Sequence, residues 1–305
     1  MSFTYEVKNE VSKHEFNDTG NISLLSAIIS NSVFTNDIIR ISTENASVAR
    51  FIYNLIKELY NFNAKIIVRR GYNYNKKLLY IIEVNNKIDT LLRDTGLTNG
   101  PVPMQFIVDD MEQIRYYLKG VFLLTGSIND PKKSRYHLEF VVNTSEYASF
   151  VCKLLNTFLL NAKYLKHENK YMVYVKEAEK IGDFLRIINA TDALFYFEDM
   201  RIYRDHKNMT NRLNNCEQAN VDKMMASAAN ELKEIELIES IGGLELLDEK
   251  VYEVALYRKK YPEVSLQELS EIISIETGVP ITKSGLYHRM KKIKDLASKI
   301  KNKSL

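Results

Sequence analysis

The sequence predicts an α+β protein in two parts, a duplicated αββαββα region followed by an all-α basic domain, and three observations carry that prediction. An apolar helical run occurs twice, as Leu24-Leu25-Ser26-Ala27-Ile28-Ile29-Ser30-Asn31-Ser32 and as Leu118-Lys119-Gly120-Val121-Phe122-Leu123-Leu124-Thr125-Gly126-Ser127. Each run is followed by the same succession of strand pair, second helix and further strand pair. The last stretch, Thr282 to Leu305, holds seven Lys and Arg289 against the single acid Asp295, a net +7 that leaves −4 on residues 1–281. Such an imbalance points to a polyanion at the C-terminal end. A duplicated unit with a pseudo-twofold axis suits a partner that is itself roughly twofold, such as duplex DNA.

The elements follow from hydrophobic spacing. Thr4 to His14 reads as a short helix. Asn21 to Ser30 is an apolar helix entered after Thr19-Gly20, and Ile38 to Ser42 is a strand. Ala46 to Tyr60 is amphipathic, because Val48, Ile52, Leu55, Ile56 and Leu59 recur at helical spacing. Ala64 to Arg70 and Leu78 to Val84 form a hairpin across the Gly71–Lys77 turn, and Ile88 to Gly96 is a closing helix. Leu97-Thr98-Asn99-Gly100-Pro101-Val102-Pro103 breaks the chain between the copies.

The second copy repeats the plan. Met111 to Thr125 is helical, Tyr136 to Val142 a strand and Tyr147 to Leu159 a helix. Ala162 to His167 pairs with Tyr171 to Lys176, and Ala178 to Ile188 closes the unit. Each half alone would leave one apolar sheet face uncovered, so the two should pack through their Leu24–Ser30 and Leu118–Leu124 helices. Asp192 to Tyr203 is a further helix. Arg204 to Asn220 is polar, basic and rich in Asn, and reads as a loop or hinge. Val221 to Ile241 is a long acidic helix, suited to a rigid spacer or a partner surface, ended by Gly242-Gly243. The expected domains are therefore 1–220 (halves 1–100 and 101–205, then the basic linker), a linker helix 221–243, and a reader domain 244–305.

That reader domain has its own signals. Leu247 to Lys260 is a helix stopped at Tyr261-Pro262. Ser265 caps the next helix with Glu268 at the capping-box position, and Leu266, Leu269, Ile272 and Ile273 form its inner face. After the turn Glu276-Thr277-Gly278-Val279-Pro280, Thr282 caps a third helix whose Leu286, Met290, Ile293 and Ala297 face inward. Lys283, Ser284, Tyr287, His288, Arg289, Lys291 and Lys292 are left on the outer face. A surface Lys alone is an ordinary solvated charge. Cap, apolar face and basic face together, from Ser265 to Ala297, make a helix-turn-helix whose last helix enters the major groove. Small Ser284 and Gly285 permit close approach, Arg289 can reach a guanine or a phosphate, and Lys291 and Lys292 suit phosphates. The turn is longer than the usual ~3–4 residues. Arg204, Lys207 and Arg212 are candidate secondary DNA contacts.

Other chemistry is thin. Cys152 and Cys216 have no metal-like spacing, and Cys152 within Phe150-Val151-Cys152 reads as a small buried hydrophobe. The five His (14, 137, 167, 206, 288) form no ligand set. His137 is expected to pack or hydrogen-bond, and Asn129-Asp130-Pro131 to turn. There is no phosphate-cradling Gly-rich loop, no signal peptide and no apolar run near the ~20 residues that a membrane span needs. No cofactor, metal, membrane partner or small-molecule substrate is expected, and the location is expected to be cytoplasmic, at the nucleoid.

The chain resembles the WhiA family of sporulation regulators and cell-division proteins of Gram-positive bacteria. The matching runs include Leu118-Lys119-Gly120-Val121-Phe122-Leu123, Gly126-Ser127-Ile128-Asn129-Asp130-Pro131 and Tyr136-His137-Leu138-Glu139. They continue through Asn211-Arg212-Leu213-Asn214-Asn215-Cys216-Glu217-Gln218-Ala219-Asn220, Ile235-Glu236-Leu237-Ile238 and Ser265-Leu266-Gln267-Glu268-Leu269. They close with Lys283-Ser284-Gly285-Leu286-Tyr287-His288-Arg289-Met290-Lys291-Lys292-Ile293. Leu25 to Ser32 keeps the apolar character but little of the motif. The resemblance implies a LAGLIDADG homing-endonuclease-like domain joined by a helical linker to a C-terminal helix-turn-helix. In such nucleases each core helix ends in a carboxylate that helps to hold divalent metal at the scissile phosphate. Those positions fall here on Asn31 and Thr125, neither an anionic ligand. The expected function is therefore non-catalytic: binding double-stranded DNA in cell division and chromosome segregation or in transcriptional regulation. The alternatives are a promoter-binding activator of division or sporulation genes and, remotely, a metal-dependent endonuclease. Other division or transcription proteins are candidate partners.

Overall fold

In a computed structural model of the chain, residues 2–13, 20–35, 37–70, 78–133 and 135–303 are described. His14, Thr19 and the Gly71–Lys77 turn lie outside the described residues, as does the side chain of Lys303. The chain divides into two compact units, residues 1–205 and 206–305.

In the first unit, α1 (Phe3–Val11) precedes α2 (Asn21–Ser30). Then come β1 (Val33–Thr35), β2 (Ile38–Thr43), α3 (Ala46–Tyr60), β3 (Lys65–Arg70), β4 (Leu78–Val84) and α4 (Ile88–Asp94). The second copy runs α5 (Met111–Thr125), β5 (Gly126–Ile128), β6 (Leu138–Val142), α6 (Ser145–Thr157), β7 (Lys163–His167), β8 (Lys170–Val175) and α7 (Ala178–Ile187). Both sheets are antiparallel and equivalent in order, β1-β2-β4-β3 and β5-β6-β8-β7. Alternation along the strands turns Ile39, Ile41, Ile82 and Val84 inward in one sheet, and Leu138, Phe140, Val142, Val173 and Val175 in the other. The three-residue strands β1 and β5 are too short for a two-residue period to announce them.

As expected, α2 and α5 bring the copies together. They run side by side in the same direction, with Gly20 against the Tyr116 ring and Gly120 against Leu24 and Ala27. A Cβ on Gly120 would stand 2.5 Å from the Leu24 carbonyl oxygen and 2.8 Å from Ala27 Cβ, so only glycine permits this approach. Leu24, Leu25, Ile28, Leu118, Val121 and Phe122 are buried along the seam, each worth roughly 1.5–3 kcal/mol.

The expected loop at Arg204 to Asn220 is instead helix. α8 runs unbroken from Thr191 to Ser240. Asn-rich composition lowers helix propensity without forbidding the helix, and no Gly or Pro interrupts residues 191–240. Side chains one turn apart support it, as where Gln218 donates to Asp222 at 2.8 Å. The acidic stretch 221–243 also differs from a free linker, because Ile235 and Ile238 are fully buried in the core of the second unit.

That core is completed by α9 (Glu249–Lys260), α10 (Leu266–Thr277) and α11 (Lys283–Lys303). Val251 and Val254 meet Leu269 and Ile273, and Leu286, Met290, Ile293 and Ala297 close it from α11. Leu266 and Ile272 are only half-buried. The Ser265–Glu268 capping box forms in full. Cys152 is half-buried, its thiol donating to the Ala162 carbonyl at 3.2 Å, and Cys216 is exposed. Among the described residues no helix is long and apolar enough to cross a membrane.

Candidate nucleic-acid interface

The α10–α11 turn sets the presentation of the last helix. Gly278 adopts φ +69° at the end of α10, a left-handed conformation that glycine takes without strain. The Ser274 hydroxyl donates to the Ser270 carbonyl at 2.6 Å and accepts the Ile281 amide at 2.9 Å, which pins the five-residue turn to α10. The Thr282 hydroxyl then accepts the Gly285 amide at 3.1 Å and starts α11.

Thr282, Lys283, Ser284, Tyr287, His288 and Lys291 emerge together on one solvent-exposed face, opposite the buried Leu286, Met290 and Ile293. Tyr287 is 56% exposed and its ring meets that of His288 at 6.0 Å. Gly285 and Arg289 are half-buried at the edge of this face. Lys292 is exposed as well, and its Nζ pairs with Asp248 at 3.1 Å. The Arg204 guanidinium donates to the carbonyls of Pro131 and Lys133 at 3.0 and 2.7 Å and lies 4.4 Å over the Tyr136 ring, so it holds the 131–133 turn. Asp130 shapes that turn by accepting the Lys132 amide at 2.9 Å. Lys207 and Arg212 are exposed on α8.

Beneath the helix-turn-helix, Arg258 is 1% exposed, which sequence reasoning missed because Arg is rarely buried. It donates to the Val264 carbonyl at 2.7 Å and stands 2.9 Å from the Glu231 carboxylate. That contact is close but lacks hydrogen-bond alignment. Burial raises the Glu231 pKa, and Arg258 opposes the rise.

The two positions at which the resemblance implies acids, Asn31 and Thr125, differ from each other. Asn31 ends α2. Its Nδ2 donates to the Ala27 carbonyl and to the Tyr147 hydroxyl, both at 2.8 Å. A carbonyl only accepts, so this nitrogen must be the amide's donor end. The protons beyond it follow in one direction. Ser30 gives its proton to the Ser26 carbonyl at 2.9 Å, so it accepts from Tyr117 at 3.2 Å, and Tyr117 accepts from Tyr147 at 3.0 Å. Burial raises the pKa of both phenols, that of Tyr147 to about 12, which keeps them as donors. A carboxylate at position 31 could supply neither of the two protons. Thr125, at the end of α5, donates only to Val121 of its own helix at 2.9 Å. An amide and a hydroxyl are neutral where a hard divalent metal is held by carboxylates, and among the described residues no three His, Cys, Asp or Glu side chains converge. His137 pairs with Glu139 at 3.1 Å and stacks on Tyr174. The hydroxyls at Ser23, Ser26 and Ser30, recurring along one face of an otherwise apolar helix, were the sequence signal that this helix is pinned by polar bonds. Ser23 and Ser26 donate to the Ile107 and Thr95 carbonyls at 2.7 and 2.8 Å.

Three family models divide the chain: the WhiA N-terminal LAGLIDADG-like domain over residues 25–98, the WhiA LAGLIDADG-like domain over 114–207 and the WhiA C-terminal HTH domain over 210–297. The chain belongs to the WhiA family. It is 41% identical over 314 residues to the probable cell division protein WhiA of Staphylococcus epidermidis, covering 99% of this chain and 98% of that protein. The Staphylococcus aureus WhiA is 40% identical over the same span. Full-length DUF199/WhiA from Thermatoga maritima matches in structure with TM-score 0.60 at 27% identity, over 98% of this chain and 99% of that one. The isolated N-terminal LAGLIDADG domain of DUF199/WhiA matches with TM-score 0.51 at 25% identity, over 61% and 90%. The WhiA HTH model begins at residue 210, well before the expected boundary at 244, in keeping with the burial of Ile235 and Ile238.

Proposed function

We propose that this protein binds double-stranded DNA without cleaving it and acts in cell division, through chromosome segregation or through regulation of transcription. The observation that carries the reading is the single exposed face of Lys283, Ser284, Tyr287, His288 and Lys291, presented by a helix whose opposite face fills the core. In this reading α11 lies in the major groove. Ser284, Tyr287 and His288 face base edges, Lys283 and Lys291 meet phosphates, and Arg289 is held at the groove edge. Thr282 and Gly285 position the first turn. Lys207 and Arg212 are secondary contacts. The domain reading that goes with it is a degenerate LAGLIDADG-like scaffold through residue 205, with α8 continuing into the HTH unit. Binding to the chromosome would place the protein at the nucleoid. The non-catalytic part rests on Asn31 and Thr125, neutral side chains at the two positions where the resemblance implies metal-holding carboxylates.

Electrophoretic mobility shift tests it. Alanine at Lys283, Tyr287 and Lys291 together should weaken binding by about 100-fold or more, and each lost phosphate contact should flatten the salt slope by roughly one. Unchanged affinity in a folded variant would refute the assignment. Plasmid incubated with the protein and Mg²⁺ or Mn²⁺ should remain supercoiled.

A further inference from the structure

Between the two copies, at the C-terminal end of α2, lies a cavity of about 370 Å³, away from the α11 face to which DNA binding is assigned above. Its walls come from α2 and β1 (Asn31, Phe34), from the segment joining the copies (Leu97, Pro101) and from the start of α6 and the residues before it (Asn143, Tyr147). The volume falls within the ~300–1,000 Å³ of small-molecule sites, and the lining is mostly apolar with a few convergent polar groups, the usual composition of such sites. None of its lining residues among those described is charged. Phe34 lines the cavity and is 50% exposed, so its ring is open to a ligand there. Both protons of the Asn31 amide are spent on Ala27 and Tyr147, so its Oδ1 is left as an acceptor that receives no hydrogen bond among the described residues. The amide cannot flip, because the Ala27 carbonyl requires its donor end.

We propose that this cavity binds an uncharged nucleoside-sized ligand, with the flat face of a base against Phe34 and its donor edge on Asn31 Oδ1 and the Asn143 amide. Asn amides pair with base edges and aromatic faces stack on bases irrespective of sequence. A lining without Lys or Arg does not compensate a phosphate or a carboxylate, whose desolvation would then go unpaid. The proposal is independent of DNA recognition by α11.

Titration calorimetry of the full-length protein with adenosine, guanosine, cytidine and thymidine tests it, with adenosine monophosphate as the charged counterpart. At least one nucleoside should bind saturably at millimolar concentration or below. Phe34→Ala and Asn143→Leu alter exposed side chains, so they should preserve the thermal transition while weakening that binding by about tenfold each. Absence of saturable binding by all four nucleosides overturns the proposal. So does binding that neither substitution changes, and so does tighter binding of the monophosphate than of adenosine.

Discussion

The two copies in the first unit have the same order of elements, but the ends of their paired helices have different jobs. α2 ends in Asn31, whose amide reaches across to Tyr147 of the other copy. α5 ends in Thr125, whose hydroxyl turns back on its own helix. Each copy contributes a glycine to the contact, Gly20 and Gly120, while Ser30 and Asn31 of copy one meet the Tyr117 and Tyr147 hydroxyls of copy two. A metal-holding pair needs like groups meeting on a symmetry axis. Here the symmetry holds in the backbone and not in the side chains, and Asn31 stabilises the seam where an acid would disturb it.

Substitutions can break this comparison, beginning with the largest effect. Gly120→Val should destabilise the first unit by about 3 kcal/mol, because its side chain would drive into the Leu24 carbonyl and Ala27. Denaturant unfolding would measure it, and a near-neutral result would mean that the helices do not approach so closely. Asn31→Asp should cost about 2 kcal/mol at pH 7, and Thr125→Asp clearly less. An Asp at 31 turns an acceptor instead of a donor toward the Ala27 carbonyl and the Tyr147 oxygen, so its folded pKa lies above the unfolded one. The variant should then approach wild-type stability in acid and lose it as pH rises. Equal costs at the two positions would remove the asymmetry.

A smaller effect concerns Lys119, which is 6% exposed and carries a pKa lowered by burial to about 8. Folding then disfavours its charged form, so stability rises between about pH 8 and the ordinary lysine value of 10.5. Burial raises the Tyr117 and Tyr147 phenols, so their contribution is lost as pH climbs past 10.0, the ordinary tyrosine value. Lys119→Met should stabilise by about 1 kcal/mol at pH 7 and reduce the gain between pH 8 and 10. Urea midpoints across that range are the readout, and an identical pH profile would count against the burial.

Much of this was legible in the sequence because it is periodic. Val48, Ile52, Leu55 and Ile56 mark α3 without reference to anything distant, and Ser265 with Glu268 marks the start of α10. What stayed hidden depends on partners far along the chain. Tyr147 lies 116 residues from Asn31, and no local pattern links them. The same holds for Arg204 with Pro131, and for Lys292 with Asp248, where a basic residue looks free until its neighbour is known. The middle of α8 was misread for another reason: Asn-rich composition is a weak local prior, and an uninterrupted helical register overrode it. The outer face of α11 expected from the sequence is exposed at Lys283, Ser284, Tyr287, His288 and Lys291, while the half-burial of Arg289 and the pairing of Lys292 with Asp248 depend on packing that no local pattern announces.

The most direct test is genome-wide crosslinking of the wild-type chain and of a variant with Lys283, Tyr287 and Lys291 changed to alanine, paired with transcript levels after depletion. Wild-type occupancy should be substantial and the variant's should collapse, although its fold is intact by circular dichroism. Sharp peaks upstream of genes whose transcripts fall would specify promoter regulation, and occupancy without transcript change would specify a segregation role. Occupancy retained by the folded variant would contradict DNA recognition through α11.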